Sequence, residues 1–228
     1  MLPINDSEPN RYGSIPLMTL TLIAINTLIL IWELSLPKMQ LYGVFHFFGF
    51  TPSMIWAREG AGMLSALTST FLHGGISHLL GNMLFLWVFG RRVEDACGPG
   101  RFLLYYLLSG CTACLTIALA QPKSEIPCIG ASGAIFGITS AYLLLFPGGR
   151  IRTLWIIAIV PTWPKIRAFW ILMYYLLIQI PPAVDIYLHG ARYGVAYWGH
   201  LGGFFACIFI LLFLRPQAFA RYMSNVSV

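Results

Sequence analysis

The stretch Gly130-Ala131-Ser132-Gly133 and the stretch Trp198-Gly199-His200-Leu201-Gly202-Gly203 each head an apolar run, and their pairing decides how this chain is read. If both runs cross a bilayer in the same direction, the Ser132 hydroxyl and the His200 imidazole lie at similar depth. Around them the sequence is poor in charge. Of 228 residues, 58% are hydrophobic and 10% are charged, and the mean hydropathy is +0.75. Soluble domains carry about 25% charged residues, so composition alone points to an integral, multi-pass membrane protein. At about 20 apolar residues per span, the length holds roughly six or seven spans and no separate soluble domain.

Apolar runs predict spans over residues 16–36, 76–96, 102–120, 131–147, 167–183 and 196–214, giving an all-α bundle of six transmembrane helices within residues 16–214. Residues 1–15 form a short polar N-terminal segment, and residues 215–228 a short tail. Pro37, Pro99-Gly100, Pro122, Pro147-Gly148-Gly149 and Pro181-Pro182 punctuate the span ends, as turn residues do. The first run is too long for a signal-peptide core, and no small-residue cleavage site follows it, so it reads as a retained span. Ile151–Val160 is apolar but only half a span long, bracketed by Arg150, Arg152, Lys165 and Arg167, and reads as interfacial.

Charge sets the direction. With the N-terminus in the cytoplasm, the cytoplasmic side receives ten basic residues: Arg11, Arg91, Arg92, Arg101, Arg150, Arg152, Lys165, Arg167, Arg215 and Arg221. The other side receives four: Lys38, Arg58, Lys123 and Arg192. This bias puts both termini in the cytoplasm. It also accounts for the net charge of +6 without a nucleic-acid partner. The five cysteines include Cys111-x-x-Cys114, whose place inside a span and lack of a second pair make packing a better reading than redox or metal chemistry.

In this topology spans two, four and six enter from the outer side, and their starts carry His78 and Asn82, Ser132, and His200. Polar and ionisable groups in spans are rare and default to functional candidates. A serine hydroxyl becomes a nucleophile when a base takes its proton, and histidine is the base suited to neutral pH. No acid is well placed beside the pair: Asp185 and Glu125 fall in loops, and Glu94 at the far end of span two. The expectation is a dyad, its imidazole oriented by an aromatic ring or a backbone carbonyl. Phe136, one helical turn after Ser132, can pack on His200. His78 and Asn82 share one face of span two and can donate to an oxyanion, as can the Ser132 N–H at its helix start. Gly130 and Gly133 permit close approach of backbone and substrate, and His73 is read as a supporting residue or as a hydrogen-bonding group in the loop before span two.

Singly, each residue has a duller reading. A Gly-Ala-Ser-Gly cluster usually marks tight helix packing, and Asn82 alone is ordinary interhelical glue. The agreement in depth is what favours catalysis. Two other motifs fail: residue 134 is Ala and no strand precedes Ser132, which excludes the Gly-x-Ser-x-Gly elbow. His73-Gly-Gly-Ile-Ser-His78 lacks the glutamate and the spacing of a zinc protease, so no metal is expected.

With these motifs in order, the chain resembles the rhomboid family of intramembrane serine proteases. The resemblance runs from about residue 50 to residue 214 and rests on His73-x4-His78-x3-Asn82, Gly130-Ala131-Ser132-Gly133 and His200-x2-Gly203. It implies a six-helix core, a Ser132–His200 dyad in a cavity open to the outer side, and oxyanion stabilisation by His78, Asn82 and the Ser132 backbone. It also implies transmembrane protein substrates and no cofactor. Residues 38–72 would form a partly embedded first loop, and the fifth span the mobile side through which substrate enters. Departures are the absent Trp-Arg pair of that loop (Leu64-Ser65 here), Phe136 where tyrosine is common, and Gly203-x3-Cys207 in place of Gly-x3-Gly, which predicts slightly looser packing of spans four and six. The alternative is a rhomboid-like pseudoprotease that binds transmembrane helices without cutting them. A transporter with His73, His78 and His200 along a proton or metal path is a third reading, disfavoured because no internal repeat is evident. With no Arg- and Ser-rich leader to suggest mitochondrial import, a bacterial inner membrane is the expected home.

Overall fold

The computed structural model describes residues 2–6, 15–59, 61–157, 160–191 and 193–206. It is mostly helical. Strand β1 (Leu2–Asp6) comes first, then α1 (Leu17–Ser35), α2 (Lys38–Phe48), α3 (Pro52–Ala57) and a run of short helical turns over Gly62–Phe71. Helix α4 (Ile76–Cys97) contains a single π turn at Leu86–Gly90, and α5 (Pro99–Ala120) and α6 (Ser132–Leu145) follow it. Strands β2 (Arg150–Ile157), β3 (Val160–Thr162) and β4 (Lys165–Arg167) lead to α7 (Ala168–Leu177), α8 (Ile180–His189) and α9 (Tyr197–Phe205).

The core is apolar, as in a soluble protein, but polar side chains are buried with it and many large apolar side chains face outward. On α1, Thr19, Asn26 and Glu33 are buried, while Leu28 and Ile31 are 65% and 60% exposed. An apolar outer surface costs nothing in lipid, whereas each polar group must find a partner inside. The chain is therefore an integral membrane protein. Among the described residues three helical segments are long and apolar enough to cross a membrane: Leu17–Ser35, Pro99–Ala120 and Ala168–His189. A fourth counts if Gly62–Phe71 and Ile76–Cys97, bent by 85°, form one span.

Two carboxylates fasten α1 to α4 and the loop before it. No side chain of its own caps α1. Glu94 of α4 does so instead, accepting from the Met18 and Thr19 backbone N–H groups at 2.8 Å each and from Thr19 Oγ1 at 2.7 Å. These donors have no partners within their helix, and a negative charge suits that end of the dipole. At the other end of α1, Glu33 accepts the His73 N–H through both oxygens, at 3.2 Å.

Three expectations are corrected. The fold is not all helix: β2 pairs antiparallel with β1 on one edge and with β3 and β4 on the other. The period is two, with Ile151 and Thr153 buried and Arg150 and Arg152 exposed, so this arginine-flanked segment is one arm of a β-hairpin. Within the polar lead, residues 2–6 supply the outer strand, and Asp6 is buried against Arg92 at 2.8 Å with Tyr142 Oη donating to the same oxygen at 3.0 Å. Pro181-Pro182 do not end the fifth helical segment but open its second half, which continues to His189. Proline is tolerated in a first turn, where its missing N–H breaks no bond within the helix. Asp185 consequently lies on α8, hydrogen-bonded to His189 and Tyr193, rather than in a loop.

Candidate active site

Helices α5, α6 and α9 meet almost backbone to backbone. A Cβ at Gly203 would fall 1.9 Å from the Gly133 carbonyl oxygen, and one at Gly133 would fall 2.5 Å from the Ala113 Cβ. Small residues at such a seam are what lets helices associate in lipid. The packing is therefore close at the Gly203 level; the looser packing expected at Cys207 lies outside the described residues.

This contact brings the start of α6 against the start of α9. Ser132 Oγ lies 2.8 Å from His200 Nε2, within hydrogen-bond distance, across 68 residues of sequence. His200 is 8% exposed, and its ring stacks on Phe136 with centroids 4.4 Å apart and planes 8° from parallel. An imidazole held in this way can take the hydroxyl proton and later return it.

His78 and Asn82 come together beside Gly130. Gly130 has φ +120°, a conformation open to glycine, and a Cβ there would sit 2.7 Å from the His78 ring and 3.6 Å from Asn82 Nδ2. The Gly130 N–H donates to the Ser69 carbonyl at 2.8 Å, which fixes the strand of chain leading into Ser132. Asn82 Nδ2 donates to His73 Nε2 at 3.0 Å. The other His73 nitrogen faces the Phe71 carbonyl at 3.4 Å, so His73 holds the loop before α4 and one N–H of Asn82. The Ser132 and Gly133 N–H groups open α6, where a helix has no internal acceptors for them.

One residue escaped the sequence reading. His200 Nδ1 lies 2.9 Å from Gln179 Oε1, and Gln179 is 6% exposed. The imidazole is thus oriented by a ring on its face and by a side-chain amide at its edge, rather than by a backbone carbonyl. Its signal was a lone glutamine in an apolar run, masked by Pro181-Pro182, which suggested that the span was ending. Beside the Ser132–His200 pair lies a cavity of about 30 Å³, lined by Ser69, Thr70, Ile117, Gly130, Gly133 and Ala196 among others, large enough for a water or two but not for a peptide. Among the described residues no group of three or more metal-ligating side chains converges, and Cys114 is buried with Sγ 3.7 Å from Ser69 Oγ.

Comparison with known proteins agrees with this architecture. The model of the rhomboid domain matches residues 60–217. Rhomboid protease GluP of Bacillus subtilis is 45% identical over 84 residues, covering 37% of this chain and 16% of that protein. RHOMBOID-like protein 5 of Arabidopsis thaliana is 32% identical over 151 residues, covering 66% and 44%. RHOMBOID-like protein 6, mitochondrial, of the same plant is 33% identical over 161 residues, covering 71% and 47%. The chain spans less than half the length of each of these relatives. A domain match over most of its residues shows that the chain belongs to the rhomboid family.

Proposed function

We propose that the chain is an intramembrane serine endopeptidase that cleaves transmembrane protein substrates, with Ser132 as nucleophile and His200 as general base and then general acid. The observation that carries this reading is the 2.8 Å Ser132 Oγ–His200 Nε2 hydrogen bond, formed between two helix starts in an apolar protein. Attack by Ser132 on a scissile carbonyl passes its proton to His200. The imidazolium then protonates the leaving amine, and a water activated by the same imidazole releases the acyl group. His78, Asn82 and the N–H groups opening α6 stabilise the oxyanion, while Gly130 and Gly133 keep the space clear. The similarity to a protein named a rhomboid protease supports the same reaction.

Six crossings, both termini in the cytoplasm and a site facing the outer side complete the reading, on the strength of the charge bias. A bacterial inner membrane is the proposed location.

The test is cleavage of a single-span reporter in liposomes without added metal. Wild type cuts it, and Ser132→Ala and His200→Ala, inserted equally well, do not. Full activity in correctly inserted His200→Ala protein overturns the dyad.

A further inference from the structure

We infer that Gln179 is a positioning residue that fixes His200 in the tautomer carrying its proton on Nδ1, leaving the Nε2 lone pair free for the Ser132 hydroxyl. The inference rests on reading Ser132 and His200 as nucleophile and base. Its basis is the break between α7 and α8. There the Gln179 N–H turns to the Leu176 carbonyl at 3.0 Å, not to that of Tyr175 one residue further back. The Tyr175 carbonyl accepts from Gln179 Nε2 at 2.7 Å.

That bond settles which way the amide points. A carbonyl only accepts, so the amide nitrogen must face Tyr175 and Oε1 must face His200. Oε1 also only accepts, so the His200 nitrogen 2.9 Å away, Nδ1, is the one that bears hydrogen. The remaining nitrogen, Nε2, then accepts from Ser132 Oγ. Gln179 and His200 are 6% and 8% exposed, which leaves little room for water between them. The stack with Phe136 fixes the plane of the ring but says nothing about which nitrogen is protonated. When His200 takes the serine proton, the Gln179 bond becomes charge-assisted and strengthens as the reaction proceeds.

Two variants of the full chain in liposomes separate this role from support of the helix break. Gln179→Met removes the acceptor for His200 and the donor to Tyr175. Gln179→Glu keeps the acceptor and loses the donor. Gln179→Met is expected to lower kcat about 10- to 100-fold, the scale of one charge-assisted bond, with KM within about twofold. Gln179→Glu is expected to retain most of the wild-type kcat. Nitrogen-15 resonances of His200, read without substrate, are expected to report Nδ1–H in wild type and a tautomer mixture in Gln179→Met.

Equal losses in both variants would assign the effect to the helix break and overturn the inference. So would wild-type kcat in Gln179→Met, or an Nε2–H tautomer in the wild-type protein. If wild type neither cleaves reporters nor reacts with a fluorophosphonate, the protease reading fails, and the nitrogen-15 spectra still decide what Gln179 does.

Discussion

Gly203→Ala tests whether the seam between α6 and α9 is what holds the serine against the histidine. A methyl at this position would meet Gly133 O at 1.9 Å and Gly133 C at 2.8 Å, whereas ordinary Cβ contacts begin at 3.4 Å. Neither atom belongs to a side chain that can rotate aside, so the two backbones must part by about 1.5 Å, a typical overpacking strain of about 1–3 kcal/mol. Gly133 follows Ser132 directly, and Gly203 lies three residues beyond His200, so the separation is passed to the reacting pair. A hydrogen bond of 2.8 Å then opens beyond bonding range. Misplacement by about 1 Å costs on the order of 100-fold in rate, so kcat is expected to fall by about that factor while the protein still inserts. The assay is initial-rate cleavage of a single-span reporter in liposomes, with thermal unfolding in detergent run beside it. Gly81→Ala is the control, because no atom lies within 4 Å of a Cβ there and the residue faces outward in the middle of a helix. It is expected to keep full activity and to gain up to about 1 kcal/mol of stability. Wild-type kcat in Gly203→Ala would refute the argument that this contact sets the serine–histidine distance.

Three further perturbations follow from the structure. Phe136→Leu removes the ring stacked on His200, worth about 0.5–1.5 kcal/mol, and should lower kcat about 2- to 12-fold with little change in KM; an unchanged rate would mean that the stack does not orient the imidazole. Asp6→Ala removes the buried carboxylate shared by Arg92 and Tyr142 and should destabilise the fold by about 3–5 kcal/mol, seen as a lower unfolding midpoint, whereas an unshifted midpoint would show that β1 is dispensable. Burial pushes the half-buried Cys128 thiol up to about 11, so its thiolate fraction rises with pH; maleimide labelling should be slow at pH 7 and quicken about tenfold per unit toward that value, and fast labelling at pH 7 would contradict the environment described.

What the sequence made legible follows from how costly polarity is in lipid. Ser132, His200, His78 and Asn82 stood out because an apolar run tolerates such groups only where they have a partner, and the structure groups them around the starts of α4, α6 and α9. The hairpin arm was missed for the opposite reason. Alternation over Arg150-Ile151-Arg152-Thr153 competes there with an overall apolar composition, which hides the period of two. Gln179 was hidden by its neighbours, since two prolines end far more helices than they restart. The same rule of partnership that exposes Ser132 explains Gln179 in retrospect. A glutamine inside an apolar run must spend both ends of its amide, here one on the Tyr175 carbonyl at the break and the other on His200. The helix break and the orientation of the imidazole are therefore one construction: the irregular backbone supplies the acceptor that aims the amide, and the amide aims the histidine.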